Sequence, residues 1–141
     1  MRKQNQEMKW TGIKALSREQ NLEEFERYTR YHLPEDFKAH IRVHNGGLPS
    51  SRMFNTKGQK GLVWMGSLSF NHSDRPSIWD IYDKEKLELG DQFLVFGMDE
   101  TGSLLCFDTD TDCIVFLDQQ DLCVEPVADT FTEFLDGLYE L

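Results

Sequence analysis

A chain of 141 residues, 39% hydrophobic and 28% charged, has the size of one domain with one core, and such a domain buries about two-thirds of the surface its unfolded chain exposes. Three cysteines (Cys106, Cys113, Cys123) without C-x-x-C spacing, an N-terminus lacking an apolar run, and no apolar stretch near the ~18 residues of a membrane span predict a reduced, cytoplasmic protein with no membrane partner. The net charge of −10 is split unevenly, residues 1–70 carrying +5 and residues 71–141 carrying −15, which argues against direct nucleic-acid binding and for a basic protein partner.

Residues 1–9 are polar and read as a mobile N-terminus of a single domain spanning 1–141, followed by Trp10-Thr11-Gly12-Ile13 as a packing anchor. Ser17-Arg18-Glu19-Gln20 matches a capping box, and the helix it would open places Leu22 and Phe25 towards a core and Glu23, Glu24 and Glu26 on a solvated face. A second helix has both boundaries written into it. Pro34 suits the first helical position, Glu35 and Asp36 complement the helix dipole, and Phe37, Ile41 and His44 share a face. Asn45-Gly46-Gly47 tolerates a left-handed C-terminal turn, and Pro49 forbids resumption. Residues 50–60 have loop composition. In 62–70, Leu62, Trp64, Leu68 and Phe70 fall at the even spacing of a strand, with Gly66 able to kink it. Ser77–Tyr82 is too short to separate helix from strand, and Lys84–Gln92 reads as a charged loop.

The last third predicts an antiparallel meander: Phe93–Met98, a turn at Asp99–Gly102, Ser103–Asp108, a turn at Thr109–Asp112, Cys113–Leu117, a turn at Asp118–Asp121, and Leu122–Pro126. Thr130-Phe131-Thr132-Glu133 is a second capping box, opening a helix with Phe131, Phe134, Leu135 and Leu138 on one face. The expected architecture is α+β, a mostly antiparallel sheet covered by two N-terminal helices and one C-terminal helix. Phe37, Ile41, Trp64, Leu105, Phe107, Phe131 and Leu135 are expected in one core.

This order of motifs resembles the SUKH superfamily, which includes the Smi/Knr fungal cell-wall regulators and many bacterial toxin-immunity proteins. The likeness rests on Leu33-Pro34-Glu35-Asp36-Phe37-Lys38, Asn45-Gly46-Gly47, the apolar segment Leu62–Phe70, Asp99-x-x-Gly102 before the Cys106 strand, and the closing Asp129–Leu135 segment. It covers most of the chain from Ser17 onward. The family often has Gly just before the Leu-Pro helix, where this chain has Thr29-Arg30-Tyr31-His32.

Motifs that would carry chemistry are weak or missing. His40 and His44 have the i, i+4 spacing of helical zinc ligands but lack the following Glu and a third ligand, so the expectation is a partly exposed His40 and a His44 that donates to free carbonyls at the helix end. Asp108-Thr109-Asp110-Thr111-Asp112 alternates acids as a calcium loop does, but Cys113 and Gln119 stand where that loop needs Gly and a bidentate Glu, which favours Asx-turns. No phosphate-binding loop or G-x-S-x-G elbow occurs, and the cysteines lie in apolar β segments that suit buried, inert thiols. The expectations are therefore no catalytic residues, no cofactor and no metal.

The resemblance implies a non-enzymatic, protein-binding module: an immunity protein that neutralises a polymorphic toxin, such as a basic nuclease domain, or else a housekeeping regulator or scaffold. An enzyme or small-ligand domain built from unfamiliar residues is a second rival. If the meander strands run up, down and up, Asp99, Glu100, Asp118 and Asp121 gather at one end of the sheet and Asp108, Asp110 and Asp112 at the other. Either cluster could face a basic partner. The first is favoured because two turns make a broader patch, while turn geometry alone would also account for all seven acids.

Overall fold

The computed structural model describes residues 8–140. Its elements in chain order are β1 (Trp10–Thr11), α1 (Gln20–Thr29), α2 (Glu35–His44), β2 (Leu48–Pro49), β3 (Met53–Phe54), β4 (Leu62–Val63), α3 (Ile78–Leu89), β5 (Phe93–Met98), β6 (Leu104–Asp108), β7 (Ile114–Asp118), β8 (Cys123–Ala128) and α4 (Phe131–Asp136). The fold is α+β. Strands β5 to β8 form an antiparallel meander in sequence order, and β1–β2 and β3–β4 are short antiparallel pairs.

Alternation along the meander separates two faces. Leu94, Phe96, Leu105, Phe107, Ile114 and Phe116 pack with Leu22 and Phe25 of α1, Phe37 and Ile41 of α2, and Phe131 and Phe134 of α4. Each of the seven residues expected in the core is there, Leu135 at its half-buried margin. The opposite face, Val95, Leu104, Cys106 and Val115, forms a smaller apolar cluster with Ile81 and Leu89 of α3. The sheet is thus covered on both sides, with α3 added to the three helices read from the sequence.

Helix boundaries follow local chemistry. Thr130 accepts from the Glu133 N–H at 3.1 Å, as its capping box requires. The box at Ser17 does not form: the Ser17 hydroxyl accepts from Asn21 Nδ2 at 3.1 Å, and α1 begins at Gln20 with no side-chain cap. Pro34 stands just outside α2, and the left-handed residue after the helix is Gly46 (φ +72°), not Asn45. Asn45 instead is buried and joins three segments, donating to the carbonyl of Lys14 and the hydroxyl of Ser69 and accepting from the Phe70 N–H. Glu26 also departs from the solvated face expected of it. It lies 3.3 Å from the buried Lys38 ammonium and accepts from the Leu33 N–H.

Three stretches differ from what local sequence predicts. Only Leu62–Val63 of 62–70 is a strand, because Gly66 (φ +94°) turns the chain against Gly47, whose carbonyl oxygen a Cβ on Gly66 would meet at 2.9 Å. Trp64, Leu68 and Phe70 are nonetheless buried, as their spacing required. The loop 50–60 contains β3, paired with β4. Ser77–Tyr82 resolves as helix, with Ser77 accepting from the Asp80 N–H, and α3 continues through the charged segment expected to be a loop. Its charges occupy the side of a helix whose apolar positions cover the sheet. Of the stretch expected to be mobile, residues 1–7 lie outside the described residues, while Lys9 exchanges hydrogen bonds with Ser50.

Candidate partner-binding surface

The meander places the β5–β6 and β7–β8 turns at one end of the sheet and the β6–β7 turn at the other. At the first end Asp99 is buried, and its Oδ1 accepts from the Thr101 N–H (2.9 Å), the Thr101 hydroxyl (2.8 Å) and the Ser103 N–H (2.9 Å). Ser103 in turn accepts from the Gln119 N–H at 3.1 Å, so the two turns are physically joined. Asp118 closes the second turn by accepting from the N–H groups of Gln120 and Asp121, and Gln59 bonds its other oxygen at 3.1 Å. These bonds, the one from the Gln120 N–H first, hold the Asp118 carboxyl below its ordinary range. Glu100 and Asp121 project into solvent.

The four acids therefore divide by role. Asp99 and Asp118 build the turns, and Glu100 and Asp121 are available to a partner. Asp99→Ala is expected to cost about 1–3 kcal/mol, because it strands the Ser103 and Thr101 donors; an unchanged urea midpoint would remove Asp99 from this role. Turn signals in the sequence locate the acids, but nothing there separates the buried pair from the exposed pair. The bond from Gln59 is invisible in the sequence, since it reaches across 59 residues.

At the other end Asp108 accepts from the Asp110 N–H at 2.9 Å, an Asx-turn, and Asp112 accepts from the hydroxyl of the buried Tyr31. Burial first, and then Asp112, push the Tyr31 phenol above its ordinary range. Asp110 is exposed. Beside this turn lies a polar cleft of about 690 Å³ lined by residues including Tyr28, Tyr31, Tyr82, Asp91 and Asp112. Tyr28 donates to Asp83 and Tyr31 to Asp112, so both hydroxyls already serve the fold.

His40 and His44 do share a helix face, with ring centroids 5.3 Å apart. His40 is buried, which corrects the expectation of partial exposure. Trp10 packs against both rings, and His40 Nε2 is 2.7 Å from the Ser67 hydroxyl. Burial, and secondarily His44, lower the His40 pKa to about 3. His44 Nδ1 is buried without a hydrogen-bond partner among the described residues, so it is not the carbonyl donor expected. No group of three or more His, Cys, Asp or Glu among the described residues is arranged to hold a metal ion. Cys106 is buried, with its thiol pKa pushed up by that burial, but Cys123 is exposed, against the expectation that all three thiols are interior. Among the described residues no helix is long and apolar enough to cross a membrane.

The family model SUKH_6, described as SMI1-KNR4 cell-wall, matches residues 19–135, from the start of α1 to the end of α4. The chain belongs to the SMI1-KNR4 family, within the SUKH superfamily. No curated protein matches it. For a SUKH domain, the matched segment holds both the helical layer and the whole meander, including each of the acidic turns.

Proposed function

We propose that this SUKH domain is a non-enzymatic immunity protein that binds a basic toxin domain, such as a nuclease, and neutralises it. The observation that carries the reading is the charge division, −15 in residues 71–141, in a chain whose family membership spans most of the same residues. Phosphate-gripping domains carry Lys and Arg, and an acidic surface complements them over distances set by the Debye length. The contact edge in this proposal is the joined pair of turns, with Glu100 and Asp121 as contact charges and Asp99 and Asp118 as their scaffold; Asp108, Asp110 and Asp112 form the alternative edge. The cell-wall description of the family model supports a second reading, a regulatory or scaffold protein that uses the same surface.

Affinity capture from the native cell, followed by mass spectrometry and an assay of the captured protein's activity with and without this chain, separates the two. An immunity protein abolishes its partner's toxicity at equimolar ratio, and a scaffold does not. With the captured partner, Glu100→Gln/Asp121→Asn is expected to lower the association rate and flatten its salt dependence, with little change in dissociation. Unchanged rate and salt slope would move the site away from this end of the sheet.

A further inference from the structure

Helix α3 packs chiefly on β5, with Ile81 and Leu89 against Val95, Leu104, Cys106 and Val115 of the outer sheet face. Between the last turn of α3 and β7–β8 runs a groove of about 330 Å³. Its floor is apolar, formed by Leu89, Phe93, Leu104 and Leu117, and its outer wall is Leu122 and Val124. Leu122 is 88% exposed and Val124 51% exposed, although the first closes a turn and the second stands just after it, where polar residues would cost nothing. The register explains their aim: Val124 pairs with Leu117 on the outer face, and Leu122, with φ +54°, ends the turn beside it.

The charged residues lining the groove are Glu85, Glu88 and Asp118, with no Lys or Arg among its lining residues. Asp118 belongs also to the joined turns, so groove and acidic edge are continuous. We propose that this groove is a docking site for a protein segment presenting an apolar side chain flanked by Lys or Arg. The apolar side chain fills the space between α3 and β8, and the flanking cations meet Glu85 and Glu88. A second copy docked groove to groove about a twofold axis fits poorly, since it would bring carboxylates against carboxylates. The inference rests on the reading of a basic protein partner and deepens it: charge steers the encounter, and the buried anchor sets the residence time.

The test titrates the isotope-labelled chain by NMR with a nine-residue peptide holding a central Leu-Trp pair between Lys-Arg pairs. Two matched peptides serve as comparisons, one with Ser-Ser at the centre and one with Glu in place of Lys and Arg. The expected result is shifts confined to residues 85–93, Leu104 and residues 117–124 for the first peptide, with affinity about tenfold or more below it for both comparisons. Leu122→Ser/Val124→Thr, at exposed positions that leave the core intact, should weaken the first peptide by a similar factor. Equal binding of the Ser-Ser peptide, shifts centred elsewhere, or no binding at millimolar peptide would overturn the proposal. So would a concentration-dependent dimer in sedimentation that the double variant abolishes, because a second copy would then be the occupant. A captured toxin whose affinity ignores the double variant removes the groove and leaves the immunity reading. A partner that is not neutralised removes that reading, and the peptide titration still decides the groove.

Discussion

Phe37→Ala is expected to destabilise the domain by about 3–5 kcal/mol, the upper range for a single side-chain truncation in a core. Phe37 is only 2% exposed, and its ring is the meeting point of three elements of the fold. Centroids of Phe131 (5.0 Å), Phe107 (5.2 Å), Phe96 (5.8 Å) and Phe70 (6.0 Å) surround it, mostly in edge-to-face arrangements that add about 0.5–1.5 kcal/mol per pair beyond the area buried. Removing the ring takes away the transfer energy and leaves a cavity that rings fixed on α4 and two strands cannot easily collapse. Against a total stability of about 5–15 kcal/mol, that loss brings a domain at the low end of the range to its unfolding threshold. Urea denaturation followed by far-ultraviolet circular dichroism would show this as a lower midpoint with an unchanged slope. A midpoint within error of the parent would mean that α2 does not pack as described.

The same residue shows how far sequence reaches. Phe37 is legible as a core residue because its helix carries Pro34 before it and Gly46 after it, so period and boundaries agree on one buried face. The meander is legible for a similar reason: every turn has its Asp (Asp99, Asp110 and Asp112, Asp118 and Asp121), and the segments between are short apolar runs. What escapes the sequence is whatever a tertiary contact decides against local signal. The 62–70 segment alternates like a strand, yet the close approach of Gly66 to Gly47 bends it, so that beyond its pairing with β3 it makes only isolated bridges, Trp64 to Asp99 and Ser69 to Ser77. Residues 84–89 look like a loop because α3 needs few apolar residues to cover half a sheet face. At the candidate surface the turns are legible and the roles of their acids are not, since burial of Asp99 depends on a network with Ser103 that spacing alone does not reveal.

Stability should fall between pH 6.5 and 4.5 in the parent and fall less in His40→Gln. His40 is buried among the rings of Trp10, Phe37, Trp64 and Phe131 and beside His44, and its pKa drops from 6.5 to about 3 because burial penalises the imidazolium. The folded-state value is lowered, so the unfolded chain binds a proton that the folded chain refuses throughout that window. Stability is therefore complete above pH 6.5 and is lost on acidification at about 1.4 kcal/mol per pH unit, or roughly 2 kcal/mol by pH 5. Burial also lowers the His44 pKa, so some slope persists in the variant. Carboxyls held below their usual range, such as Asp74 with its bonds from Asn71 and Ser69, begin to contribute only at lower pH, which leaves the upper part of the window to the histidines. Gln at position 40 can keep a hydrogen bond to the Ser67 hydroxyl without titrating, so the comparison isolates the proton and not the packing. Urea midpoints at pH 7.5, 6.5, 5.5 and 4.5 would measure both slopes. Parallel curves for parent and variant from pH 6.5 to 5 would show that His40 takes up its proton in the folded state, and the packing of α2 against Trp10 and Trp64 would have to be looser than the structure has it.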